Sequence, residues 1–386
     1  MHNILSKKLL NYVFIISNRS FALTNSRIPL IKELISQGYE VIILTKVSED
    51  LEILKSDNIR IFNIEFERRF FSPVKDFKAF FKILCLFIKY KPVLVHSFNA
   101  KPVILSSLVK FIFIFSNSIF INTITGLGHG FIKGNKYIKK IILYCYKFSN
   151  LVSNHFIFQN NDDFQLLLEE KAINKKKSSV ILGSGIDLTK FKQKKIYKNK
   201  KINILMIGRV LWQKGAFEYC LIAENIRRKI SNCKFSWAGE IDSIHPDSVN
   251  QNWIKDNKNI CFLGVVNDIP TLLDNTDILL FPSYREGLPR AIMEASASCI
   301  PSIGFDVPGV REVIINNHTG FLVPVGDLGQ LESSTEKLIS DIQLRKLYGL
   351  NAHKFATENF DINFVLRKYM ELYFKLGLPL NLNNFN

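Results

Sequence analysis

Between Asp76 and Asp162 the 386-residue chain contains no acidic residue at all. Nor is there a run of about 18 uncharged apolar residues that would span a bilayer as a helix. The nearest approach, VILSSLVKFIFIF, is interrupted by Lys110. Cysteine is sparse and scattered: Cys85, Cys145, Cys220, Cys233, Cys261 and Cys299 form no CxxC pair and no Cys/His cluster at metal-ligand spacing. Buried free thiols in a reducing cytosol are therefore expected, rather than disulfides or zinc. A Walker loop, a GxGxxG after the first strand, a DxD pair, a GxSxG elbow and an HExxH helix are all missing. The opening MHNILSKKLLNYVFIIS has the basic-then-apolar trend of a signal peptide, but residues 13–16 read better as a first β-strand.

What is present is length, core and positive charge. A chain of this size exceeds what one core usually holds, so two domains of roughly 150 to 200 residues are expected. Hydrophobic residues make up 47%, enough to fill both. The formal charge of +17 implies an anionic partner: nucleic acid, a membrane surface or a phosphorylated small molecule. Eleven lysines fall inside the acid-free stretch, which concentrates the excess in the first half.

Short β-branched runs alternate with helical patterns. YVFII, EVIIL, RIFNI, VLVHS and IFINTIT read as strands in the first half, and RIPLIKELISQG reads as a helix with Gly38 at its C-cap. After the lysine-rich KFKQKKIYKNKK the pattern restarts with INILMIG, KFSWAG, NICFLG, DILLFPS and IPSIGF. Such alternation predicts two doubly wound α/β domains, each with a parallel sheet covered on both faces, joined near residues 186–200. Ligands of such sheets sit beyond the carboxyl ends of the strands.

Three of those strand ends carry unusual loops. In IGRVLWQKG, Arg209 follows the strand directly and Lys214 comes five residues later, a pair of cations suited to a diphosphate without a metal. Two ordinary surface cations on a solvated loop would look the same. In SYREGLPRAIMEA, Pro289 fits the first helical position, which leaves Glu286 in the loop and Glu294 on the helix. The N–H groups of Gly287 and Leu288 would then favour phosphate oxygens. The two carboxylates suit hydroxyl groups, one on a sugar ring and the other on a ribose. A capping acid and a surface acid are the plainer alternative. In NICFLGVVND the backbone at Leu263, Gly264 and Val266 could meet the edge of a nucleobase.

In this order GRVLWQKG, FLGVVNDIPTLLDNTDILLFPS, REGLPRAIMEA and PSIGFDVPGVREVI resemble the second domain of the retaining glycosyltransferases of family 4, and the Glu286 to Glu294 spacing matches that family's E-x7-E signature. SRIPLIKELISQGYEVIIL resembles the family's first β-α-β unit, and GSGIDLTKF the linker after its first domain. The resemblance implies the GT-B fold, two Rossmann-like domains facing a central cleft. It implies an acceptor-binding, membrane-associating domain over residues 1–187, a nucleotide-sugar domain over 188–361, and a final helix, 362–386, crossing back. It also implies that Arg209 and Lys214 hold the donor diphosphate, Glu286 the transferred sugar and Glu294 the ribose, with Gly208, Gly287, Leu288, Leu263, Gly264 and Val266 completing the donor site. No metal and no cofactor are expected; the UDP-sugar is a substrate.

TITGLGHGF, VHSFNAKP and LWQKG look most like enzymes that add hexoses or N-acetylhexosamines to undecaprenyl-diphosphate-linked sugars of O-antigen, capsule or glycoprotein glycans. Gly126, Gly128, His129, His96, Lys101 and Arg27 are the acceptor-side candidates, Arg27 offering charge where the loop after the first strand lacks glycines, with an exposed helix cation as the plainer alternative. His96 fits a hydrogen-bonded histidine at a strand end equally well. HGFIKGNKYIKKIILYCYKF interleaves lysines with aromatics, as does the stretch 67–91, a pattern suited to peripheral binding on anionic lipid at the inner face of a bacterial plasma membrane. An amphipathic helix packed on the sheet is the plainer alternative. Competing readings are a GT-B nucleotide-sugar epimerase or phosphorylase, a soluble glycosyltransferase, and a basic nucleic-acid-binding protein. The last lacks any RRM, KH, helix-turn-helix or zinc pattern.

Overall fold

The computed structural model describes residues 11–66, 72–127, 131, 136–191, 201–243 and 245–381. Contacts divide the chain into two compact units, Met1–Ser184 with Val365–Asn386, and Gly185–Phe364.

The first unit holds β1 (Tyr12–Ser17), β2 (Glu40–Thr45), β3 (Ile59–Asn63), β4 (Leu94–Phe98), β5 (Ile119–Ile124), β6 (His155–Phe158) and β7 (Ser178–Val180). They form one parallel sheet in the order β3-β2-β1-β4-β5-β6-β7. The second holds β8 (Ile202–Ile207), β9 (Cys233–Ala238), β10 (Ile260–Gly264), β11 (Ile278–Phe281), β12 (Ser302–Phe305) and β13 (Gly320–Val323), ordered β10-β9-β8-β11-β12-β13 and again parallel. In both sheets the strand order reverses beside the first strand. That switch point opens a crevice at the carboxyl ends of β1 and β4, and another at those of β8 and β11.

The continuous apolar runs follow from burial on both faces. Along β1, Val13 and Ile15 enter one core with Leu30, Ile31 and Leu34 of the helix Ile28–Ser36, while Phe14 and Ile16 enter the other with Ile83, Leu86 and Phe87 of the helix Pro73–Tyr90. Gly38 takes φ +89, the left-handed turn that ends the helix before β2. All six cysteines are free thiols, though only Cys220, Cys233 and Cys299 are buried, while Cys85 and Cys261 are exposed. No helix among the described residues is long and apolar enough to cross a membrane.

The last helix, Ile362–Lys375, buries Val365, Tyr369, Met370 and Tyr373 in the core that also holds Val13 and Ile15. Its hydroxyls claim two residues expected beside the acceptor. His96, on β4, is fully buried: Nδ1 meets the Tyr373 hydroxyl at 2.5 Å and Nε2 meets Thr123 Oγ1 at 2.7 Å. Arg27 is not an exposed cation. It is 4% exposed, lies 4.4 Å over the Phe98 ring, and donates from Nη1 to the Tyr369 hydroxyl at 3.4 Å. Burial holds the His96 pKa well below its ordinary 6.5, and the Arg27 charge pushes the same way, so the ring is neutral. Both residues fasten the terminal helix to the sheet.

Tyr373→Phe strips His96 of a buried partner and should lower unfolding free energy by about 1–3 kcal/mol in chemical denaturation. A histidine kept neutral in the fold makes the unfolded chain the better proton acceptor, so stability should be full above about pH 6.5 and fall as pH drops below it. His155, lowered to about 4 by burial and by Lys375, adds to the same acid limb, and His96→Gln should shrink the limb without removing it.

Candidate active site

The loop after β8 and the loop after β11 meet at the switch point of the second sheet because glycine lets backbone touch backbone, and a second glycine braces the β11 loop from the β12 side. Gly215 has φ +83, and a Cβ there would stand 2.2 Å from the Pro282 carbonyl oxygen. Gly309, in the loop after β12, has φ +81 and presses on the Gly287 carbonyl, where a Cβ would stand at 2.5 Å. Only glycine fits either place. Hydrogen bonds close the same contact: Tyr284 N–H donates to Gln213 O at 3.0 Å, and the Tyr284 hydroxyl donates to Oε1 of the buried Glu218 at 2.5 Å. Burial and that carboxylate push the Tyr284 hydroxyl up to about 12.

This clasp brings together Lys214 and Glu286, which form a direct ion pair although 72 residues separate them. Arg209 does not stand free either. Its Nη1 lies 3.0 Å from Oδ2 of Asp242, a carboxylate only 3% exposed in the loop after β9. Arg290 Nε lies 2.6 Å from Glu294 Oε1. The cations expected to await a diphosphate are thus each matched by an acid. A nearly buried carboxylate without a counter-charge is costly, and each of these acids has a cation beside it. Burial raises the Glu294 pKa above its ordinary 4.5, and Arg290 offsets part of the rise.

The helix of the E-x7-E segment spans Arg290–Ala297, with Pro289 at its N-cap rather than at the first helical position. The N–H groups of Gly287 and Leu288 therefore belong to the preceding loop. Glu294 keeps its place on the helix, 7% exposed. Gly208 follows β8 with φ +156, and its carbonyl accepts from Trp237 Nε1 at 2.8 Å. Leu263 and Gly264 close β10, the edge strand, and Val266 follows half-buried; the Gly264 carbonyl accepts from Gly239 N–H at 2.7 Å.

In the first unit, Lys101 pairs with Asp76 at 2.6 Å, the last acid before the acid-free stretch. Gly126 has φ +141 just beyond β5. Gly128 and His129 lie outside the described residues. Asp242, Arg290 and Gly309 went unassigned in the sequence. Asp242 alone left a signal, an acid three residues past a strand-ending glycine on the same sheet edge as Arg209. Among the described residues no group of three His, Cys, Asp or Glu side chains converges as a metal site would require.

The family described as "Glycosyl transferases group 1" matches residues 187–355, and "Glycosyl transferase 4-like" matches 13–160. The two together run over most of the chain. The protein belongs to the group 1 glycosyltransferases. It is an enzyme of family 4, a retaining glycosyltransferase. The glycosyltransferase is 27% identical over 378 residues, 93% of its own length and 97% of the relative's, to the N,N'-diacetylbacillosaminyl-diphospho-undecaprenol alpha-1,3-N-acetylgalactosaminyltransferase of Campylobacter jejuni. It is 24% identical to the UDP-Gal:alpha-D-GlcNAc-diphosphoundecaprenol alpha-1,3-galactosyltransferase of Escherichia coli, covering 88% of this chain and 89% of that one. Among solved structures a glycosyltransferase from Rickettsia africae superposes with a TM-score of 0.74 at 23% identity, over 95% of this chain and 98% of that one. The fold of the glycosyltransferase is GT-B.

Gly215→Ala forces a Cβ into the Pro282 carbonyl and strains a left-handed backbone, a conformation worth about 1–3 kcal/mol by itself. The variant of this glycosyltransferase should lose thermal stability and, because Lys214 and Glu286 part, lose turnover as well. A steady-state assay run beside a melting curve checks both.

Proposed function

We propose that the protein moves a hexose or N-acetylhexosamine from a UDP-sugar to an undecaprenyl-diphosphate-linked glycan at an anionic membrane surface. The observation that carries this reading is the Lys214–Glu286 pair, which sets a cation and a sugar-reading acid together at the switch-point crevice of the second sheet. The names of the Campylobacter and Escherichia relatives support the choice of acceptor and, for the latter, a UDP-linked donor.

On arrival the donor diphosphate takes over Lys214 and Arg209. Glu286, released from Lys214, then accepts hydrogen bonds from the transferred sugar, and Glu294 accepts them from the ribose. As the glycosidic bond breaks, negative charge grows on the leaving phosphate, and the two cations stabilise it in a partly dry site. The departing phosphate takes the acceptor hydroxyl's proton on the face it leaves, which retains the anomeric configuration. Gly208, Gly287 and Leu288 offer backbone to the donor, and Leu263, Gly264 and Val266 lie at the base end. Gly126 stands on the acceptor side.

The first unit supports the membrane part of the reading. The helices Pro73–Tyr90, Ala100–Ile112 and Lys136–Val152 pack side by side. The last of them buries Ile142 and Tyr146 as an ordinary amphipathic helix does, but Tyr137, Ile141 and Tyr144 point outward. Phe77, Phe81, Phe111 and Phe115 are exposed too, as are Lys78, Lys82, Lys136, Lys140 and Lys147. Exposed aromatics among lysines, with no acid between residues 76 and 162, suit anionic headgroups and the acyl boundary below them.

Transfer should be measured with a panel of nucleotide sugars and a short-chain polyprenyl-diphosphate glycan. Lys214→Ala and Arg209→Ala are each expected to lower kcat by about 10²–10³-fold while the protein stays folded. Unchanged turnover in either would defeat the leaving-group assignment. Flotation with anionic vesicles should carry the protein upward, and Phe77→Ser with Phe111→Ser should reduce it; flotation equal on neutral vesicles would remove the charge argument.

A further inference from the structure

Arg290 is a cation of the site without a part in the scheme above, and its guanidinium works in two directions. Nε donates to Glu294 Oε1 at 2.6 Å, one turn along the helix, and Nη1 donates to the Gly185 carbonyl oxygen at 3.3 Å. Gly185 is where the chain enters the second unit. The next residue, Ile186, donates from its N–H to Phe360 O at 2.8 Å and accepts from Ile362 N–H at 3.0 Å, in a parallel bridge with Asp361. The incoming and outgoing passages of the chain are therefore bonded to each other, and Arg290 holds the incoming one. Gly183 and Gly185 take φ +65 and +74, so the segment it holds turns on left-handed glycine backbone.

We propose that Arg290 is a positioning residue that senses occupation of Glu294 by the donor and passes it to the chain crossing at Gly185. The inference rests on the reading of Glu294 as the acceptor of donor hydroxyls. Donor hydroxyls bound to Glu294 fix its carboxylate, the carboxylate fixes the planar guanidinium, and the guanidinium shortens its bond to Gly185, which at 3.3 Å has room to tighten. Binding at one place then orders backbone at another through two shared side chains, which makes it a coupling between sites.

Hydrogen exchange of the peptide covering residues 182–188 tests this on the full chain, with and without a saturating UDP-sugar. Wild type should exchange more slowly there when the donor is bound. Arg290→Gln should bind donor roughly tenfold more weakly, as expected for loss of one charged hydrogen bond, and show no slowing even at saturation. Arg290→Lys, whose single ammonium reaches the carboxylate without bridging to Gly185, should recover donor affinity and KM but not the slowing. If Arg290→Gln and Arg290→Lys both keep the wild-type slowing, while Glu294→Ala abolishes donor binding, Arg290 is a support only and the coupling is overturned. If Glu294→Ala binds donor as wild type does, the donor reading itself fails and takes this inference with it.

Discussion

The second unit depends on one contact between backbones: Gly215 lying against the carbonyl of Pro282 at the point where the strand order of the sheet reverses. A side chain at that position would push the loop after β8 away from the loop after β11. With the contact made, Lys214 reaches Glu286, Tyr284 reaches Glu218, and Gly309 braces the same loop from the β12 side. An arrangement built this way sits on the ends of rigid strands, and its precision comes from close packing of main chain rather than from long side chains.

Charge is handled in opposite ways in the two units. In the second, cations and acids stand in matched, partly buried pairs, Arg209 with Asp242, Lys214 with Glu286 and Arg290 with Glu294. Each counter-charge offsets part of the cost of burying its partner carboxylate. In the first unit Lys101 pairs with Asp76 and Lys139 with Glu170, but Lys78, Lys82, Lys136, Lys140 and Lys147 stand outward among exposed aromatics, so the field of that surface acts on whatever approaches it. The net charge of +17 is therefore a surface property of one unit more than a property of the proposed donor site.

Local pattern was legible wherever an element was long enough to show its period. EVIIL and INILMIG declared themselves as buried parallel strands, and both lie where the runs placed them. β6, β7 and β13 went unseen: HFIF follows a long apolar helix almost without a break, SSV is three residues long and polar, and GFLV has four residues. The cations Arg209 and Lys214 were visible from their loop, but their partners were not. His96 and Arg27 looked like site residues because they are polar and stand near strand ends. Their partners, Tyr373 and Tyr369, come from a helix more than 270 residues further on, and this distance hid the fastening role.

The sequence by itself determined the alternation of strand and helix, hence the two parallel sheets, and it determined that Glu286 falls in a loop and Glu294 on the helix beyond it, because helix period and turn chemistry are local. Only the tertiary structure decided which acid meets which cation and which polar side chains are sealed from solvent. Arg209 and Asp242 are 33 residues apart and Lys214 and Glu286 are 72. Such pairs are set by the order in which strands lie in the sheet, and no local pattern of residues encodes that order.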